Sequence, residues 1–256
     1  MAISSEPTPL VLLPGMMCDH RLWRAQAAAL SVHREVITPA LHGGDTIASI
    51  AANLLTKFPP RFSLAGLSMG GIVAFEIIRQ APGRVGRLAL LDTNHRADTP
   101  EKRRVRDRQM ADVKAGALEM VMRDELKPNY LATIHRSNLA LLDEVLSMGL
   151  DLGEGVFQAQ SQALKTRPDS SSTLRTISVP TVVICGSEDA VCPPLLHREI
   201  SAAIPGSVLH VIEDCGHLSP LEQPDRVTSL LQHWLGIVPD SVPGPQQNHK
   251  ENAPCN

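Results

Sequence analysis

Over the first ninety residues, short apolar runs alternate with longer stretches in which apolar positions recur every three or four residues. Leu10-Val11-Leu12-Leu13 is apolar at odd and even positions alike and stops at Pro14-Gly15, the pattern of a strand covered on both faces. Glu35 to Leu41, closed by His42-Gly43-Gly44, reads as a second strand, Phe62-Ser63-Leu64-Ala65 as a third and Leu88-Ala89-Leu90-Leu91 as a fourth. Helical spacing fills the gaps, from Leu22 to Val32, Thr46 to Lys57, and Met69 to Gln80, the last ended by Ala81-Pro82-Gly83. Regular alternation of strand and helix predicts a largely parallel sheet with helices on both faces.

From His95 to Ser172 the alternation lapses into helices with charged faces, the pattern of an insertion. It resumes with the strand Thr181 to Cys185, the helix Pro194 to Ile204, the strand Val208 to Ile212 and a final helix from Gln223 to Leu235. The division is therefore a core of residues 1–94 and 173–238, an inserted helical cap of 95–172, and a disordered C-terminal tail of 239–256, rich in Pro, Gln and Asn. Only nine residues precede the first strand, too few for extra antiparallel strands, so six parallel strands are expected.

Composition narrows the functional classes. With 256 residues, 43% of them hydrophobic and 20% charged, the chain can fill a sizeable core. A net charge of −3 supplies no field to attract nucleic acid or anionic lipid. Cys18, Cys185, Cys192, Cys215 and Cys255 lack the spacing of a zinc site or a disulfide scaffold, and no metal or other cofactor is expected. Met1 to Pro9 lacks a basic region, and Leu10 to Leu13 is too short for a signal peptide or a membrane span, which predicts a cytoplasmic protein.

Gly66-Leu67-Ser68-Met69-Gly70 matches G-x-S-x-G between an apolar strand and a helix, the context in which a sharp turn lifts a serine hydroxyl clear of a sheet. Such a hydroxyl needs a base. His217, in Asp214-Cys215-Gly216-His217 after the last strand, emerges at the same carboxyl edge of a parallel sheet; His42 and His95 are the other histidines near strand ends. Asp189, in Gly186-Ser187-Glu188-Asp189, is the candidate acid that would orient the base, favoured by the order Ser, Asp, His over Glu188, Asp214 and Asp92. Backbone N–H groups of Met16, after Pro14-Gly15, and of Met69 are candidates for an oxyanion hole.

Leu13-Pro14-Gly15-Met16-Met17, Gly66 to Gly71, Cys185 to Asp189, and Gly216-His217 followed by Glu222-Gln223-Pro224 together resemble the α/β-hydrolase superfamily over residues 10 to 236. The resemblance implies a doubly wound sheet under a helical cap, Ser68, Asp189 and His217 as a catalytic triad, and Met16 and Met69 as oxyanion donors. Pro14-Gly15 stands where the family often has His-Gly.

A serine nucleophile favours acyl transfer, so the expectation is a carboxylesterase acting on a small-molecule ester through an acyl-enzyme. Lactone, thioester or carbon–carbon bond hydrolysis are related alternatives, and a non-catalytic ligand-binding receptor of the same fold is the rival from another class. Arg103, Arg104, Arg106 and Arg108 could hold a substrate carboxylate, but a solvated helix face is the preferred reading. Met110, Met120, Met122, Met148, Leu131, Leu139, Leu142 and Phe157 would line an apolar pocket or simply pack the cap.

Overall fold

The computed structural model describes residues 7–237, so the predicted tail of 239–256 lies outside the described residues. In chain order the elements are β1 (Leu10–Leu13), α1 (Arg24–Leu30), β2 (Val36–Ile37), α2 (Ile47–Leu55), β3 (Phe62–Leu67), α3 (Met69–Gln80) and β4 (Val85–Leu91). Four α-helices follow before the next strand, α4 (Pro100–Lys114), α5 (Leu118–Met120), α6 (Leu139–Thr166) and α7 (Ser171–Leu174), with a π-helical turn over Val121–Leu126 and short 3₁₀ turns between α5 and α6. The chain closes with β5 (Thr181–Gly186), α8 (Pro194–Ala203), β6 (Val208–Ile212), α9 (Ser219–Glu222) and α10 (Pro224–Leu235). The six strands form one sheet in the order β2-β1-β3-β4-β5-β6, every pair parallel.

Alternate side chains of the central strands feed two cores. Val11, Leu13, Leu64, Leu90 and Val183 pack with α2, α3 and Ile200 of α8, whereas Leu10, Leu12, Leu67, Ala89 and Ile184 pack with Trp23, Leu30 and the Val227, Leu230 and Leu231 of α10. Both faces are thus buried, which is why these strands read as unbroken apolar runs. Among the described residues no helix is long and apolar enough to cross a membrane.

Two predicted elements are shorter than the apolar pattern implied. The run Glu35 to Leu41 contains only the two-residue β2, half-buried at the sheet edge; Pro39, which has no N–H to donate, follows almost at once. The helix expected from Leu22 starts at Arg24, because Asp19 caps a 3₁₀ turn over His20–Trp23 by accepting from the Arg21 N–H.

Between β4 and β5 the backbone is helical or irregular. α6 is broken at Gly153, whose φ of 78° lies in the left-handed region that a glycine adopts without strain. A third cluster, Met17, Val113, Val121, Met122 and Phe157, joins α4 and α6 to the loop after β1. Replacing the fully buried Phe157 by alanine should therefore cost about 3–5 kcal/mol in chemical denaturation. Hydrogen exchange is expected to quicken first across α4 to α6 while the sheet amides stay protected; uniform quickening of the sheet would refute this.

Candidate active site

Ser68 links β3 to α3 with φ 52° and ψ −113°, outside the regions that non-glycine residues ordinarily occupy. The turn is possible because its flanking backbones nearly touch: a Cβ on Gly66 would lie 2.4 Å from the Gly70 carbonyl oxygen, and one on Gly70 would lie 2.4 Å from that of Leu13. Thr93, just past β4, braces the turn by donating its hydroxyl to the Ser68 carbonyl at 2.7 Å. The Thr93 N–H in turn donates to Nε2 of the buried His197 at 2.8 Å.

Three loops at the carboxyl ends of β3, β5 and β6 converge. His217 Nε2 lies 2.9 Å from Ser68 Oγ, and His217 Nδ1 lies 2.9 Å from Asp189 Oδ2. The other oxygen of Asp189 accepts from the N–H groups of Val191 and Cys192 at 2.9 and 2.8 Å, which fixes the carboxylate's orientation. Burial opposes charging the His217 ring, but the carboxylate of Asp189, with those of Asp92 and Glu222 behind it, outweighs that cost and raises its pKa.

The remaining candidates lie elsewhere. Glu188 accepts from the N–H and hydroxyl of Thr133 at 2.9 and 2.6 Å, and Asp214 occupies an exposed turn with φ 53°. Asp92 is buried beneath the site, accepting from the Gly186 N–H at 2.9 Å and the Ser219 hydroxyl at 2.5 Å without a hydrogen bond to His217. Burial and the neighbouring Asp189 charge push its pKa well up. His42 is exposed, and His95 contacts Glu199 at 3.8 Å.

Several contributors were assigned no role from the sequence, although Glu222 stands in one of the motifs that carry the family resemblance. Glu222 holds the histidine loop by accepting from Gly216 and Leu218 at 3.0 and 3.1 Å, while its second oxygen accepts from Ala132 at 2.7 Å. The Tyr130 carbonyl accepts from the His217 N–H at 2.7 Å. Gln160 on α6 accepts from the Met17 N–H at 2.8 Å and donates to the Leu41 carbonyl at 2.9 Å. It thereby fixes the loop that carries Met16, where Met17 itself has φ 54°. Among the described residues the Met16 and Met69 N–H groups have no acceptor, and Met69 opens α3, where the helix supplies none.

A cavity of about 440 Å³ opens over Ser68. Met16, Leu67, Ser68, His217 and Leu218 form its floor, and Val105, Arg106, Leu126, Tyr130 and Leu164 contribute from the inserted segment. None of the methionines and leucines considered from sequence as pocket lining borders it; Met122, Met148 and Phe157 are buried in packing instead. Asp189, Cys192 and His217 cluster tightly enough to suggest a metal site. Both His217 nitrogens are already engaged, however, and burial holds the Cys192 thiol protonated, so the donor set suits hydrogen bonding better than a cation.

A parallel, doubly wound sheet with a serine at a strained strand-to-helix turn defines a recognisable class of protein, and comparison with known proteins agrees. The model of the alpha/beta hydrolase family matches residues 10–230, and the chain belongs to that family. It is 26% identical to the pimeloyl-[acyl-carrier protein] methyl ester esterase of Aromatoleum aromaticum, over 87% of this chain and 96% of that one. A thermophilic esterase from Thermogutta terrifontis, solved with malate bound, superposes with a TM-score of 0.84 at 32% identity, covering 90% of both chains. The enol-lactonase of Burkholderia xenovorans LB400 shares the fold, with a TM-score of 0.81 at 23% identity over 92% of this chain and 94% of that one.

His197 provides a pH test of the bracing beneath Ser68. Its Nε2 must stay unprotonated to accept from Thr93, and burial pushes its pKa down to about 4 from 6.5. Between those values the unfolded chain binds a proton that the folded one refuses, so stability falls as the pH is lowered. The contribution of His197 amounts to about 3 kcal/mol across the window. Urea denaturation at pH 7 and pH 4.5 should show it, and His197→Gln should flatten the dependence; an unchanged slope would refute the assignment.

Proposed function

We propose that the protein is a serine hydrolase, in the first instance a carboxylesterase, with Ser68 as nucleophile, His217 as general base, Asp189 as the acid orienting it, and residues 95–172 as a cap over the site. The observation that carries this reading is the unbroken hydrogen-bonded chain from Ser68 Oγ through both nitrogens of His217 to Asp189, at 2.9 Å on each side. It opens into a cavity bordered by Met16, which with Met69 offers a backbone N–H that has no acceptor among the described residues. A cytoplasmic setting suits the four buried free thiols of Cys18, Cys185, Cys192 and Cys215.

In this mechanism Ser68 Oγ attacks the ester carbonyl carbon while His217 Nε2 takes the hydroxyl proton. The carbonyl electrons move onto oxygen, and the resulting anion is received by the N–H groups of Met16 and Met69. Collapse expels the alcohol, protonated by His217, and leaves an acyl group on Ser68. Water, deprotonated by the same imidazole, attacks that acyl group and regenerates the serine while the acid leaves.

Fluorophosphonate should label the wild type at Ser68 and leave Ser68→Ala unlabelled, and Ser68→Ala and His217→Ala should each lose nearly all ester turnover. An unlabelled wild type would favour a receptor, and turnover of thioesters, lactones or vinylogous diketones without turnover of simple esters would redirect the chemistry.

Because the raised pKa of His217 favours the imidazolium, kcat/KM for an uncharged ester should rise with pH through an apparent pKa above the 6.5 of a free imidazole. Asp189→Asn should lower turnover about a thousandfold or more and move that limb to lower pH. Greater damage from Asp92→Asn would overturn the choice of acid.

A further inference from the structure

Four arginines crowd the start of α4, and three of them behave as a solvated face should: Arg103, Arg104 and Arg108 are exposed. Arg106 does not. Its side chain is 19% exposed, borders the cavity above Ser68, and sends Nε to Asp98 Oδ2 at 2.6 Å. Lys102, one helical turn earlier, borders the same cavity, as do Val105 and Gln109 at the intervening and following positions. One face of α4 therefore brings two cations to the site.

The two inward cations do not have a carboxylate each to themselves. Asp98, fully buried, is shared between Arg106 and Arg167, whose Nη2 lies 2.8 Å from its other oxygen, so one carboxylate faces two guanidiniums. Glu125, a carboxylate on the cavity wall, is already claimed by Arg108 at 2.9 and 2.5 Å and by Gln109 at 3.0 Å. Glu101 also borders the cavity, but it is exposed and has Arg104 beside it at 3.9 Å. Lys102 has no carboxylate partner among the described residues. The outer edge of Arg106 is equally unclaimed: Nη1 meets only the weakly accepting sulfur of Met16, at 3.7 Å, and Nη2 has no acceptor among the described residues. A partly desolvated guanidinium with free donors gains most from a charge-assisted, two-pronged acceptor.

We propose that the ester accepted by this site carries a free carboxylate, received by Arg106 and Lys102 while the ester carbonyl lies against Ser68. The inference rests on the hydrolase reading above and adds the substrate class. The remaining wall, formed by Val105, Leu126 and Leu164, would pack the hydrocarbon between the two ends. Arg106 also touches Met16, so a carboxylate bound there sits close to the loop that offers an oxyanion donor.

The test compares monomethyl and dimethyl esters of straight-chain diacids, from succinic to suberic acid. At the best chain length the wild type should hydrolyse the monoester with a kcat/KM about tenfold or more above that of the diester. In Arg106→Gln that ratio should fall toward one, chiefly through a higher KM for the monoester, and Arg106→Lys should restore part of it. Lys102→Gln, at an exposed position, should reduce the ratio without disturbing Asp98. A wild type that labels with fluorophosphonate at Ser68 yet prefers the diester at every length overturns the carboxylate inference and leaves the hydrolase reading standing. So does a ratio untouched by either glutamine variant. Calorimetry with Ser68→Ala separates the two ideas in the other direction: tighter binding of monoester than diester, weakened by Lys102→Gln, supports carboxylate recognition even without turnover, and equal binding overturns it.

Discussion

The site depends on forcing one serine into a backbone conformation that its residue type resists. That strain survives because the surroundings over-determine it. Gly66 and Gly70 let the crossing backbones approach within distances that a Cβ would forbid, and Thr93 grips the Ser68 carbonyl from the neighbouring strand. Thr93 is held by His197, whose helix α8 packs on the sheet through Ile200. Fixing the serine thus draws on β1, β3, β4 and α8, so three neighbouring strands and a helix act together to present one hydroxyl.

Around His217 the fold buries three carboxyl groups whose hydrogen bonds it must satisfy. Asp189 and Glu222 accept two and three backbone N–H groups respectively, and Asp92 accepts one together with a hydroxyl. Buried carboxylates are tolerated on such terms. The three do different work: Asp189 touches the imidazole, Glu222 ties the histidine loop to the Ala132 N–H of the segment between β4 and β5, and Asp92 joins the end of β4 to the end of β5 and to Ser219 of α9. The position of His217 is therefore set jointly by the sheet and by the helical segment above it.

The sheet, its order of elements and the residues at its carboxyl edge were legible because they rest on local rules. Buried parallel strands must be apolar throughout, and the turn at Ser68 requires glycines at fixed offsets. Element ends were less legible where tertiary context decides them, as at β2, which has a neighbour on one side only. The inserted segment was read least well. Arg106 is indistinguishable in sequence from Arg104 and Arg108; only the partner Asp98, eight residues earlier across a turn, draws it inward. Gln160 acts through backbone groups of distant loops, and backbone acceptors and donors leave no trace in residue type.

Gln160 has a further consequence for the wall of the cavity. Its amide clasps two core loops at once, at Met17 and Leu41, and Ala163 and Leu164 just beyond it lie in the main core. The stretch of α6 after Gly153 is accordingly a fixed post, and a lid that swung as one piece would tear the Met16 loop out of register with Ser68. The first half of α6 is anchored as well, through Leu141, Val145 and Met148 in the other core and through Arg21 at Ser147 and Asp151, so both halves hold the wall above Ser68 in a fixed register.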